Sequence, residues 1–273
     1  MLVSMNWIQD FVDLSGYDID NLIHRFTLST AEVEDVIHKG ADTCGVIVAQ
    51  IASVEDHPES KKLHLLKIDT GSEIKNCVCG APNVRIGMKV AFAQVGGSVC
   101  GNAIGKAKIA GYESEGMCCS AAELGISDDH SGLMEIFDDV ALGTDIKSVY
   151  AIDDIIFEVD NKSLTNRPDL WGHYGIAREF AALVGRLLAV PGMVDVSAYN
   201  ELPALSIKIA EPDLCYRYCG IRVENVTAKI SPVNMQIRLF YCGMRGINLL
   251  ADLTNYIMLE LGQPTHAFNG ASI

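Results

Sequence analysis

Between Cys44 and Gly125 the chain is divided into short runs by glycines, most densely from Gly71 onward, and no other feature limits its possible folds so tightly. Short β-prone runs lie between the breaks: Cys44 to Val54, Leu63 to Asp69 with partial apolar and polar alternation, Ile74 to Cys79, and Met88 to Gln94. The pattern predicts several short strands closing into a compact sheet. Ser120-Ala121-Ala122-Glu123 ends the stretch with capping-box spacing. There the Ser120 hydroxyl and the Glu123 carboxylate would each satisfy an otherwise unpaired helix N–H, which predicts one short helix.

The same stretch is a basic island. From His57 to Gly111 eight basic residues (Lys61, Lys62, Lys67, Lys75, Arg85, Lys89, Lys106, Lys108) face three acidic ones (Glu59, Asp69, Glu73), a local charge of +5 in a chain of net charge −14. Such an island in an acidic protein is a candidate polyanion site. Five-stranded barrels of the OB type bind oligonucleotides on one face. Beyond it the charge reverses: Tyr112 to Asp160 holds thirteen acidic residues against Lys147 alone, which reads either as a side that excludes a nucleic acid or as an acidic loop that keeps the protein soluble.

A length of 273 residues suggests about two domains, and 49% hydrophobic residues supply a substantial core. No apolar run is long enough to span a membrane, and Met1 to Asp13 lacks a secretory pattern, so a cytoplasmic protein is expected. Nine cysteines is an odd count, and most read as free thiols in a reducing compartment. Cys77-Val78-Cys79 and Cys118-Cys119 lack the two-residue spacer of a zinc grip, and no metal site is expected. Gly105-Lys106 fails as a phosphate loop because Cys100 replaces the first glycine and Ala107 the hydroxyl.

The flanks read as α/β scaffold. Trp7 to Leu14 and Ile19 to Thr27 predict helices, the second capped at Asp18, and Ser29 to Val36 alternates as a strand with Glu32, Glu34 and Asp35 on a solvated face. After Thr165-Asn166-Arg167-Pro168-Asp169 a helix with Ile176, Phe180, Val184 and Leu187 on one stripe is expected, with Asp169 as its cap. Leu205 to Ile209 and Tyr218 to Val226 read as strands, and Ser231-Pro232 opens a further helix, with the serine as its cap and the proline in its first turn.

These residues also carry a resemblance. His57-Pro58, Lys62-Leu63, Cys79-Gly80-Ala81-Pro82-Asn83-Val84 and Gly111-Tyr112-Glu113-Ser114-Glu115-Gly116-Met117 with Cys119-Ser120 resemble the tRNA-binding OB module of synthetase-associated proteins. The Asn-Arg-Pro-Asp segment with Gly175-Ile176-Ala177-Arg178-Glu179, and the tail from Gly243 to Asn269, resemble the bacterial phenylalanyl-tRNA synthetase β subunit. The resemblance implies an α+β, multidomain fold: an OB-fold β-barrel over 41–149, inserted into a small α/β domain made of 1–40 and 150–195. The beginning of a further, editing domain would occupy 196–273. For tRNA it implies Lys61, Lys62, Asn83, Arg85, Lys106, Lys108, Ser114, Met117 and Ser120, and for the pocket that hydrolyses mischarged Tyr-tRNA(Phe) it implies Arg245, Thr254, Asn255 and His266. The whole family enzyme is an α2β2 ligase that uses ATP and Mg2+ to join phenylalanine to tRNA(Phe), with its active site on the α subunit. No cofactor is expected in this chain, which alone should not aminoacylate. The alternative is an independent tRNA-binding chaperone without catalysis.

Overall fold

The computed structural model describes residues 1–270. In chain order the first elements are β1 (Leu2–Ser4), α1 (Met5–Gln9), α2 (Ile19–Ser29) and β2 (Val33–Lys39). A run of strands follows: β3 (Cys44–Asp56), β4 (His64–Asp69), β5 (Ile74–Cys79), β6 (Lys89–Val99), β7 (Asn102–Ala103), β8 (Ala107–Ile109), β9 (Tyr112–Ser114) and β10 (Gly116–Cys118). Then come α3 (Ile146–Val149), β11 (Asp154–Val159), α4 (His173–Val184), α5 (Val233–Tyr241) and α6 (Leu249–Leu261). The fold is mixed α+β with antiparallel sheets.

One sheet has three strands in the order β1-β11-β2, so the strand between the other two is the last made. Leu2 pairs with Glu158 and Ile37 with Ile156. Helices α2 and α4 cover this sheet through an aromatic core, where Phe26 stacks on Phe180 at 5.3 Å and meets Phe157 edge-on at 6.0 Å. Asp18 caps α2 by accepting from Asn21 N at 3.1 Å, and the i, i+1, i+4 spacing of Leu22, Ile23 and Phe26 puts all three in the core.

The second sheet has six strands, ordered β10-β6-β3-β4-β5 with β7 beside β6. Ile51, Ile68, Val90 and Phe92 fill one cluster against it; Val46, Val48, Ala91 and Ala93 turn to another that includes Ile136, Ile146 and Ile152. Its two end strands come together: Glu115 N, just before β10, donates to Asn76 O of β5 at 2.8 Å. Strands β8 and β9 form a separate hairpin.

Several local expectations are corrected. The first helix begins at Met5, capped by Ser4, and stops at Gln9; Phe11, Val12 and Leu14 are buried without being helical. The Ser120/Glu123 box forms, with Ser120 N donating to Glu123 Oε2 at 2.6 Å and Glu123 N to Ser120 Oγ at 3.2 Å, but it closes a turn and no helix follows. Gly125, at φ +72, stops the turn before a helix can grow. Helix α4 starts after Gly172, where a Cβ would meet Gly262 N at 2.5 Å, so only glycine fits. Asp169 instead holds Arg167 at 2.8 Å and Arg178 at 2.5 Å. The helix ends at Gly185 in left-handed geometry, which leaves Leu187 outside the stripe and 95% exposed. Leu205 to Ile209 and Tyr218 to Val226 form no strands. Gly220 lies beside the Leu205 and Ile207 side chains, but no ladder joins the segments, and no second layer among the described residues buries their apolar positions. Ser231 does not cap α5; its hydroxyl donates to Asp252 at 2.5 Å. Of the tail, residues 271–273 lie outside the described residues.

Candidate nucleic-acid interface

The basic residues are gathered by one buried histidine. His57 follows β3, and its Nδ1 accepts from Glu59 N at 3.1 Å. The proton therefore sits on Nε2, which donates to Ala110 O at 3.0 Å. The ring also meets Tyr112 edge-on at 5.0 Å. Ala110 and Gly111 turn the β8–β9 hairpin, both at positive φ (+47 and +91), as a two-residue turn of that hand requires. For Ala110 this conformation is strained, and the hydrogen bond to His57 helps hold it. The consequence is spatial: the loop carrying Lys61 and Lys62 is fixed against the hairpin carrying Lys106 and Lys108.

Lys61, Lys62, Lys67 and Lys108 are exposed and make no ion pair among the described residues. Other island cations are engaged within the chain. Lys106 pairs with Glu115 at 3.0 Å, a contact that raises the lysine pKa and lowers that of Glu115. Lys75 pairs with Glu73 at 2.7 Å, Arg85 with Glu135, and Lys89 donates to Val140 O at 2.8 Å. Between hairpin and sheet runs a groove of about 290 Å³, lined by Ser53, Glu55, Lys67, Asn76, Cys77 and Tyr112 among others. Ser53 Oγ is buried without a hydrogen-bond partner in the structure.

The remaining expected contacts are placed differently. Asn83 is tied to Leu133, donating to its carbonyl and accepting from its N–H, each at 2.9 Å. Ser114 is buried; its hydroxyl accepts from Val78 N at 3.2 Å and donates to Gly116 O at 2.9 Å. Met117 is half-buried against the second cluster, and Ser120 is held in its capping box.

In the tail, Asn248 caps α6, which carries Thr254 and Asn255, both half-buried. Thr254 Oγ1 donates to Ala251 O at 2.7 Å, and Thr265 Oγ1 donates to Thr254 O at 3.4 Å, bringing the segment with His266 beside the helix. His266 is exposed and 6.4 Å from the Phe268 ring. Arg245, exposed before α6, has no hydrogen bond to these residues among the described ones.

Sequence reasoning missed a buried polar cluster. Ser4 Oγ donates to Asp154 Oδ2 at 2.5 Å, while His173 Nε2 accepts from Ser4 N at 3.0 Å and Nδ1 donates to Leu259 O at 2.7 Å. The composition is that of a hydrolase triad, but the imidazole contacts the serine backbone and not its hydroxyl, so the histidine does not activate the oxygen. Ser4, Asp154 and His173 are separated by long stretches of chain, and no spacing signals their meeting. Among the described residues no group of His, Cys, Asp and Glu could hold a metal ion.

A model described as a putative tRNA-binding domain matches residues 46–145, the segment containing the His57 clamp and the four free lysines. A second, described as a B3/4 domain, matches 214–273. The chain is 42% identical to the phenylalanine–tRNA ligase β subunit of Aromatoleum aromaticum across 100% of its own length and 34% of the relative's. The chain belongs to the phenylalanine–tRNA ligase β-subunit family. The ligase β subunit of Anaeromyxobacter dehalogenans is 41% identical over 98% of the chain and 34% of the relative, and that of Pseudomonas fluorescens 40% over 100% and 34%. The chain spans about a third of the length of the β subunits it matches. No helix of it is long and apolar enough to cross a membrane, among the described residues.

Proposed function

We propose that this chain forms the tRNA-binding part of a phenylalanine–tRNA ligase β subunit, acting in the cytoplasm beside an α subunit in an α2β2 assembly. The observation that carries the reading is the His57 clamp, which fixes two lysine-bearing segments against each other beside Tyr112, a residue that lines the groove together with Lys67. Cations tracking phosphates beside an aromatic ring on which a base can stack are the parts a single-stranded RNA surface needs. Lys61, Lys62, Lys67 and Lys108 meet phosphates directly; Lys106 and Arg85 join them by exchanging their carboxylate partners. Asn83, Ser114, Met117 and Ser120 shape the surface through the contacts above.

The six-stranded sheet is read as an OB barrel, closed where Glu115 meets Asn76 and Val78 N meets Ser114. We read it as an insertion over 41–149 in an α/β domain of 1–40 with 150–195, a division supported by the β1-β11-β2 strand order. The segment 196–273 is the beginning of an editing domain, with Arg245, Thr254, Asn255 and His266 contributing to a pocket for mischarged Tyr-tRNA(Phe). ATP and Mg2+ serve the intact enzyme. The residues here do not fit a nucleotide triphosphate: Gly105-Lys106 joins two strands, with no helix N-terminus behind it to receive phosphates. The chain alone therefore binds tRNA without attaching phenylalanine.

Titration with tRNA(Phe) at several salt concentrations tests this. Log affinity should fall linearly with log salt, and Lys62→Ala/Lys108→Ala should flatten the slope by about 1 to 2. An unchanged slope in that variant would place the phosphate contacts elsewhere.

A further inference from the structure

Two thiols face each other where the ends of the six-stranded sheet meet. Cys77 on β5 and Cys118 on β10 have their sulfurs 3.9 Å apart, and both side chains are buried. Cys77 Sγ also lies 3.7 Å from Gly116 O, so the pair sits inside the junction that the Glu115–Asn76 backbone bond defines. No other two thiols are hydrogen-bonded among the described residues. The hydrogen bond with Cys118 holds the Cys77 thiol below the ordinary range, while that bond and burial hold Cys118 above it. Cys119 and Cys242, buried without such a partner, are pushed up to about 12. Cys77 is also one of the residues lining the groove of about 290 Å³.

We propose that Cys77 and Cys118 form an oxidisable dithiol that a hydroperoxide converts into a disulfide joining β5 to β10. In the first step the Cys77 thiolate attacks one peroxide oxygen. An S–O bond forms, the O–O bond breaks, and the leaving hydroxide takes a proton to become water. Cys77 is then a sulfenic acid. The Cys118 sulfur attacks it; the S–S bond forms, the S–O bond breaks, and the second water departs with the Cys118 proton. The thiols lose two protons and two electrons, and hydrogen peroxide takes up both to become two waters. Moving the sulfurs from 3.9 Å to a bond of about 2 Å asks for adjustment of two side chains on strands already in contact. The inference is independent of RNA binding, because it rests on the thiols and the groove alone.

The test treats the folded, reduced chain with hydrogen peroxide, quenches it, alkylates remaining thiols in denaturant, and maps the peptides by mass. The expected result is seven alkylated cysteines of the nine, a Cys77–Cys118 cross-linked peptide pair, and recovery of all nine thiols after dithiothreitol. Alkylation at all nine positions, or a bond between any other pair, overturns the proposal. So does a cross-link that forms only when peroxide is added in urea. In folded Cys118→Ser, dimedone should label Cys77 several-fold more than in the wild type, because the resolving sulfur is gone; equal labelling also overturns it. If that variant does not fold, the wild-type peptide map decides alone.

Discussion

The charge state of His173 should govern how the scaffold responds to acid. Its ring is buried, stacked on Trp7 at 4.1 Å, and uses both nitrogens as the neutral imidazole does: Nδ1 donates to Leu259 O and Nε2 accepts from Ser4 N. Burial, with Arg238 nearby, lowers its pKa from 6.5 to about 4. The unfolded chain therefore binds this proton more readily than the folded one. The contribution to stability is complete above pH 6.5 and is lost as pH falls towards 4. At roughly 1.36 kcal/mol per pH unit the loss is about 3 kcal/mol. Asp154, whose carboxyl burial holds up, works in the opposite direction, losing its contribution as pH rises through its folded value. His173→Gln leaves Asp154 in place, so the difference between the two proteins isolates the imidazole. Urea unfolding followed through Trp7, in a Trp171→Phe background that leaves it the only indole, should show wild type losing about 3 kcal/mol relative to the variant across this range. Parallel stability curves would refute the reasoning.

Two further substitutions test other parts of the fold. Asn83→Ala strands both the N–H and the carbonyl of Leu133, and should cost about 2 kcal/mol, read as a lower urea midpoint with unchanged slope. Gly116→Ala puts a Cβ 2.6 Å from Ala93 O and against the Phe92 ring at φ +149; a loss of about 3 kcal/mol is expected in thermal melts.

What could be read in the sequence was local. The Asp18 cap, the strands of β3 to β6 and the Ser120/Glu123 box depend on residues within a few positions of one another, where side-chain chemistry and spacing suffice. What escaped depends on distant partners. Trp7 to Leu14 has helical apolar spacing, yet Phe11, Val12 and Leu14 are buried after α1 has ended. Asp169 has the chemistry of a cap, but two arginines claim it, and Gly262 sets where α4 begins. At the candidate interface the basic island was visible as composition, while its gathering by His57 and Ala110, 53 residues apart, was not. Alternation likewise could not reveal that 205–226 lacks strand partners.

The strand order β1-β11-β2 also imposes a schedule on synthesis. The nascent chain makes Leu2–Ser4 early, but the partner that pairs it, Asp154–Val159, emerges only after β3 to β10 have been translated. At ribosomal rates of about 5–20 residues per second, roughly 150 residues take on the order of 10 to 30 s. The intervening strands pair mostly with near neighbours and can settle in that interval, whereas Val3, Trp7 and Ile8 await their cover. That interval, and not the finished protein, is when the N-terminal segment is most exposed to chaperones and proteases.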